Sequence, residues 1–186
     1  MILEQLRTRT SAAHAALEAD VRIEEAVASA KAYRDLLQKF LGFHQPMEAK
    51  LSFAFDGGYN GYSPDERLKT PWLRADLELL GLTTCEISHL PICQELPDTA
   101  TLGSAFGSAY VIEGSTLGGR HISKLLESSP QSLPRAFFLS YGPEVGTRWK
   151  EFCASLEQFA AENPSAVPAI LSGAEETFVC FHQWVR

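Results

Sequence analysis

An all-α fold in a single domain is what this sequence predicts, on three observations. Apolar residues recur at spacings of three, four and seven along most of the chain, the pattern of helices that bury one face. No alternating run of β-branched residues bounded by hairpin turns is present, so the usual sign of strands is missing. Short stretches rich in glycine, proline and serine, such as GGYNGYSP, SSPQSLP and NPSAVP, divide the chain into long helical pieces.

The first helix covers residues 2–20, where Leu3, Leu6, Ala13, Leu17 and Val21 share a face. A second runs from Lys31 to about Phe55 and carries Tyr33, Leu36, Leu37, Phe40, Leu41 and Phe43; residues 57–64 break it. Residues 65–81 read as helix interrupted near Pro71 and capped by Gly81. Residues 82–98, around Pro91 and Pro97, read as a loop. A long helix from about Thr99 to Leu126 follows, then a connector over 128–134, then a short helix and a turn within 137–146. Two last helices, 146–161 and 165–185, flank NPSAVP. The expectation is one helical bundle over residues 1–186, of about seven or eight helices.

With 186 residues, 45% hydrophobic and 21% charged, the chain is large enough for one sizeable core. Its net charge of -7 argues against a nucleic-acid partner, which would need a clustered basic face. No stretch approaches the roughly 18–20 apolar residues of a membrane span, so no membrane partner is expected. The opening residues lack a basic segment followed by an apolar one, so no secretory signal is expected and the cytoplasm is the expected location. Cys85, Cys93, Cys153 and Cys180 form neither CxxC nor CxxCH; they are expected to be reduced and mostly buried.

Two features carry chemistry. His14 lies on the first helix seven residues after Arg7, nearly two turns, so both share a face. His14 also borders the Ala13–Leu17 apolar stripe. A neutral imidazole there suits an axial ligand of haem iron, and Arg7 could reach a carboxylate at the edge of such a ligand. On spacing alone, a partly buried, hydrogen-bonded histidine is the commoner explanation. The second feature is GSAYVIEGSTLGGRHI (107–122), with Gly114, Gly118 and Gly119 inside an expected helix. Each glycine there costs roughly 1 kcal/mol against alanine, and a flat ligand lying against the backbone would justify it. Gly114 and Gly118, one turn apart, would form a strip without side chains. Close helix–helix packing is the competing explanation. A membrane GxxxG dimer is disfavoured by the flanking Glu113 and Arg120, and a dinucleotide loop by the lack of a preceding strand.

Together these motifs resemble the haem oxygenases. The segment Thr10–Glu18, of form TxxxHxxxE, is similar to their proximal helix, and YVIEGSTLGGR (110–120) to a bacterial form of their distal helix. PWLRADLELLG (71–81) and FFLSYGPEVGTRWKEF (137–152) also resemble family segments, so the likeness spans nearly the whole chain in order. It is nearest in flavour to bacterial haem oxygenases encoded beside bacteriophytochromes.

The resemblance implies a helical domain that sandwiches haem b between two helices. It implies His14 as the proximal iron ligand, and Gly114, Ser115, Gly118 and Gly119 as the kinked distal strip. It further implies Arg7 and Lys150, with Arg148 nearby, as partners of the propionates, Tyr110 as a distal polar contact and Phe178 as a pocket aromatic. Haem would be both cofactor and substrate, with dioxygen as co-substrate and a ferredoxin, a flavodoxin-type protein or a reductase as electron donor. Biliverdin, carbon monoxide and ferrous iron would be the products. One departure stands out: many members carry an aspartate where Ser115 aligns, and a hydroxyl brings no charge to proton delivery.

His44, His89, His121 and His182 have no partner at metal-ligand spacing and read as surface or core residues. Trp72, Trp149, Phe152 and Trp184 read as core. Glu113 points about 100° away from Gly114, so a place at the haem is not its first expectation. Competing functions are a haem carrier or sensor on the same fold, an unrelated helical enzyme such as a thiaminase-like one, and a helical interaction module.

Overall fold

The computed structural model describes residues 1–128 and 131–186. Part of the connector expected over 128–134, residues 129 and 130, lies outside the described residues.

Helices form where the periodicity places them, and most ends have a local cause. α1 (Ile2–Val21) buries Ile2, Leu6, Thr10 and Leu17 and stops at Arg22, which is left-handed (φ 43°). The one-turn α2 (Ile23–Ala26) leads to α3 (Ala30–Phe55), whose N-cap Ser29 accepts a bond from the Ala32 amide at 3.1 Å. A 3-10 turn (Pro64–Arg67) precedes α4 (Thr70–Leu79), where Pro71 sits in the first turn and removes no intrahelical hydrogen bond. Gly81 closes α4 with φ 94°; its amide donates to the Glu78 carbonyl at 3.0 Å and that of Leu82 to Leu77 at 3.1 Å.

The stretch expected to be wholly loop, 82–98, contains α5 (Thr84–Ser88), started by a capping box between Thr83 and Glu86. The long α6 (Leu102–Glu127) begins with Thr101 and Ser104 capping each other. α7 (Ala136–Leu139), a 3-10 turn (Gly142–Glu144), α8 (Val145–Glu162), a second such turn (Pro164–Ala166) and α9 (Val167–Val185) complete the chain. The one-turn helices are too short to show periodicity in the sequence.

Three close approaches fix the bundle. α6 crosses α9 at two glycines: a Cβ on Gly107 would lie 2.2 Å from the Ile170 carbonyl oxygen, and one on Gly173 would lie 2.5 Å from that of Ser104. Beside this crossing, buried Thr177 donates to the Gly173 carbonyl at 2.6 Å and its hydroxyl is within hydrogen-bond distance of the Ser108 hydroxyl, 2.9 Å away. The third lies on α3. Pro46 has no amide to give the Gly42 carbonyl, and the Cys93 amide takes it instead at 2.8 Å. Gly42 has no side chain, which admits the Pro91 carbonyl and the Trp184 ring. α1 also packs along α9, so α1 and α6 flank α9 and leave a cleft between them.

Among the described residues there is no strand, only an isolated bridge between Tyr59 and Tyr62, and no helix is long and apolar enough to cross a membrane. The four cysteines are free; only Cys93 is buried and Cys85 is exposed.

Candidate haem site between α1 and α6

The cleft between α1 and α6 holds a cavity of about 540 Å³, within the roughly 300–1,000 Å³ of small-molecule sites. α1 contributes Arg7, Thr10, Ser11, His14, Leu17 and Glu18. α6 contributes Tyr110, Val111, Gly114, Ser115, Leu117 and Gly118. Trp149 of α8 and Phe178 and Phe181 of α9 complete the wall.

On the α1 side, the His14 ring meets Phe178 edge to face, with centroids 5.4 Å apart. Its Nδ1 lies 3.5 Å from a carboxylate oxygen of Glu18, one turn on. A carboxylate at Nδ1 favours the tautomer protonated there and leaves the Nε2 lone pair as the ligating atom. No group of three or more His, Cys, Asp or Glu side chains converges among the described residues. A lone imidazole such as His14 could ligate an iron that brings its other ligands with it, as haem does. Exposed Arg7 lines the same cavity and offers a planar, permanently charged fork to carboxylates at its edge.

On the α6 side, the glycines separate by function. A Cβ on Gly118 would meet nothing within 4 Å, and one on Gly114 only the Trp149 ring at 3.7 Å, an ordinary contact. No neighbour in the fold requires either glycine, yet together they hold a bare strip of helix open toward the cavity. That strip fits a flat macrocycle against the main chain. Gly119 is different. It lies outside the lining, and its Cβ would sit 2.4 Å from the Phe138 carbonyl oxygen; it is a glycine because α7 crosses there.

Ser115 lines the cavity and donates its hydroxyl proton to the Ile112 carbonyl at 2.8 Å, so it can present only lone pairs to a ligand. The Tyr110 ring is tilted against Trp149, centroids 5.6 Å apart. Burial raises the Tyr110 phenol above its usual range, with Arg7 acting the other way, so at neutral pH it is an uncharged hydroxyl. Lys150 is exposed on α8 and outside the lining.

Trp149, read from sequence as core, is a wall residue. Thr10, Ser11, Glu18 and Phe181 were also missed as lining residues. Glu113 does point away from the cavity. It is buried in an ionic cluster, paired with Lys69 and, at 3.3 Å, with Arg67; Tyr141 donates to it at 3.3 Å. Burial pushes the Lys69 ammonium below its usual range, and Glu113 pulls it back.

Of the remaining histidines, His44 is buried with Nδ1 unpartnered. His182 pairs with Asp20 at 2.7 Å, and His89 and His121 are exposed.

Comparisons with known proteins identify the family and the fold. The family profile described as Heme oxygenase matches residues 1–186. A Heme oxygenase from Xanthomonas campestris pv. campestris (strain 8004) is 34% identical over 118 residues, 62% of this chain and 66% of that protein; the match thus spans just under two thirds of the relative. The solved structure of a Heme Oxygenase from Leptospira interrogans superposes with a TM-score of 0.78 over 99% of this chain and 98% of that one. At 18% identity this second likeness speaks for the fold alone. With the profile covering the whole chain, the protein belongs to the haem oxygenase family.

Proposed function

We propose that the chain binds haem in the α1–α6 cleft and cleaves it oxidatively to biliverdin, releasing carbon monoxide and ferrous iron. One observation carries this reading: a lone imidazole, His14, faces a cavity whose α6 wall is bare main chain at Gly114 and Gly118. Bound haem supplies the redox chemistry, with dioxygen as co-substrate. The residues of this chain seat and shield it. His14, oriented by Glu18, takes the iron. Arg7 pairs with a propionate, and Lys150 reaches a second from outside the lining. Phe178, Phe181 and Trp149 exclude water from the apolar ring. Gly114 and Gly118 would let the main chain approach the ring closely. Gly119 serves this strip indirectly, by letting α7 brace α6. Ser115 and Tyr110 are the polar groups on the distal side.

The GSTLGG sequence of the strip supports grouping the chain with the haem oxygenases encoded beside bacteriophytochromes. A cytoplasmic protein fed by a ferredoxin, a flavodoxin-type protein or a reductase fits this role.

The test is one equivalent of haem added to the purified protein, with absorption spectra before and after ascorbate in air. A Soret band of histidine-ligated haem that decays as a broad red biliverdin band grows is expected, and His14→Ala loses the native spectrum. A Soret band stable to ascorbate and to a ferredoxin system would make the protein a carrier or sensor. No Soret band would end the reading.

A further inference from the structure

Arg67 is buried at the end of the 3-10 turn before α4, outside the cavity. Both terminal nitrogens of its guanidinium are engaged. Nη1 donates to Glu113 at 3.3 Å and to the main-chain carbonyl of Arg148 at 2.9 Å, and Nη2 donates to Glu151 at 3.0 Å. Its carbon lies 5.3 Å from the centre of the Tyr62 ring. Two of these partners are sequence neighbours of the distal wall. Glu113 immediately precedes Gly114, and Arg148 immediately precedes Trp149. Trp149 and Gly114 are neighbours at one corner of the cavity, the Trp149 ring lying 3.7 Å from where a Cβ on Gly114 would be.

One side chain therefore ties α6 and α8 together at the point where the bare strip meets its aromatic neighbour. Lys69 shares the Glu113 carboxylate, so Glu113 keeps a cationic partner even when Arg67 is replaced. What Lys69 does not reach in this arrangement is α8. A lysine at position 67 would keep the charge but not the fork that serves Glu113, Arg148 and Glu151 at once.

We infer that Arg67 is a positioning residue for haem turnover: it sets the distance between the Gly114 strip and Trp149, and thereby the seating of the macrocycle. This rests on the proposed haem-degrading function. The effect on chemistry is indirect, through main chain held in place, and small displacements of this kind lower rates by up to about 100-fold.

The test compares wild type, Arg67→Met and Arg67→Lys, each loaded with haem. Thermal unfolding and the Soret band establish folding and His14 ligation. The C–O stretch of the ferrous carbonyl form and the ratio of biliverdin isomers read the distal geometry. In both variants we expect folded, His14-ligated protein, a shifted and broadened C–O stretch, and a loss of isomer selectivity, with Arg67→Lys intermediate. Folded variants whose C–O stretch and isomer ratio equal those of wild type overturn the inference while leaving the function intact. Failure of both variants to fold also overturns it, since Arg67 is then a stability residue only. If wild type itself neither ligates nor degrades haem, the proposed function fails first.

Discussion

α6 presents two faces made from the same residue type for opposite reasons. On the core face, Gly107 and Gly119 are glycines because backbone from α9 and α7 lies where a Cβ would be, at 2.2 and 2.4 Å. On the cavity face, Gly114 and Gly118 are glycines although nothing in the protein stands in the way. The first pair is explained by folding. The second makes the helix weaker with no packing return, which is the kind of local inconsistency that marks a site. A count of helical glycines therefore points nowhere until each is placed on a face.

The sharpest way to break this distinction is Gly107→Ala. The added methyl would collide with the Ile170 carbonyl and the Ala174 amide, and neither backbone can yield without shifting α9. We expect a loss of about 3 kcal/mol, which lowers Tm by roughly 6–12 °C in a chain of this size. An unchanged Tm in thermal unfolding would mean that the α6–α9 crossing is looser than described.

The interior behind α6 also carries a pH signature that the cavity face does not need. His44 is fully buried, and burial depresses its pKa to about 3. Its unfolded value is near 6.5, so the unfolded chain binds a proton at this site across the interval between them. Stability from a neutral His44 is complete above pH 6.5 and declines as pH falls toward 3, by about 1.4 kcal/mol per pH unit. Denaturant titrations at pH 7, 6 and 5 should show this decline, and His44→Phe should flatten it. A His44→Phe curve with the wild-type slope would assign the acid sensitivity to other groups.

Gly118→Ala should do the reverse of Gly107→Ala. Its methyl enters open space, so the helix gains about 1 kcal/mol and Tm rises roughly 2–4 °C. Haem turnover should fall, by up to roughly 100-fold if the ring is displaced by about 1 Å. A variant that is both more stable and fully active would remove the functional explanation of the strip.

The sequence makes α1 and α6 legible because their signals are local. Leu6 and Leu17 mark a buried face, and Arg7 and His14 lie at fixed angles to it. The same angles could have separated Gly119 from Gly118, since one residue turns the helix by about 100°; grouping them by adjacency missed this. The capping box at Thr83 and Glu86 was readable too, but proline-rich surroundings hid it. Trp149 was not readable, because whether a helical aromatic faces core or cavity depends on how α8 crosses α6. Nor was the Arg67, Lys69 and Glu113 cluster, whose acid lies 44 and 46 residues from its two cations along the chain and meets them only when the helices pack. In the same way, Pro46 inside α3 is harmless only because a distant amide, that of Cys93, donates to the Gly42 carbonyl it leaves free.

Ser115 gives the smallest expected effect and a fine test of what the cavity face does. Its proton is committed to the Ile112 carbonyl one turn back, a local bond that competes with the helix rather than supporting it. Ser115→Ala should therefore change stability by less than about 0.5 kcal/mol. The hydroxyl offers the ligand an acceptor only, and one neutral hydrogen bond contributes about 1 kcal/mol, so single-turnover haem decay should slow by less than about tenfold. A much larger loss would show that the hydroxyl rotates to donate into the cavity when haem is bound. Ser115 would then replace the missing aspartate in proton delivery, and the two faces of α6 would differ in chemistry as well as in shape.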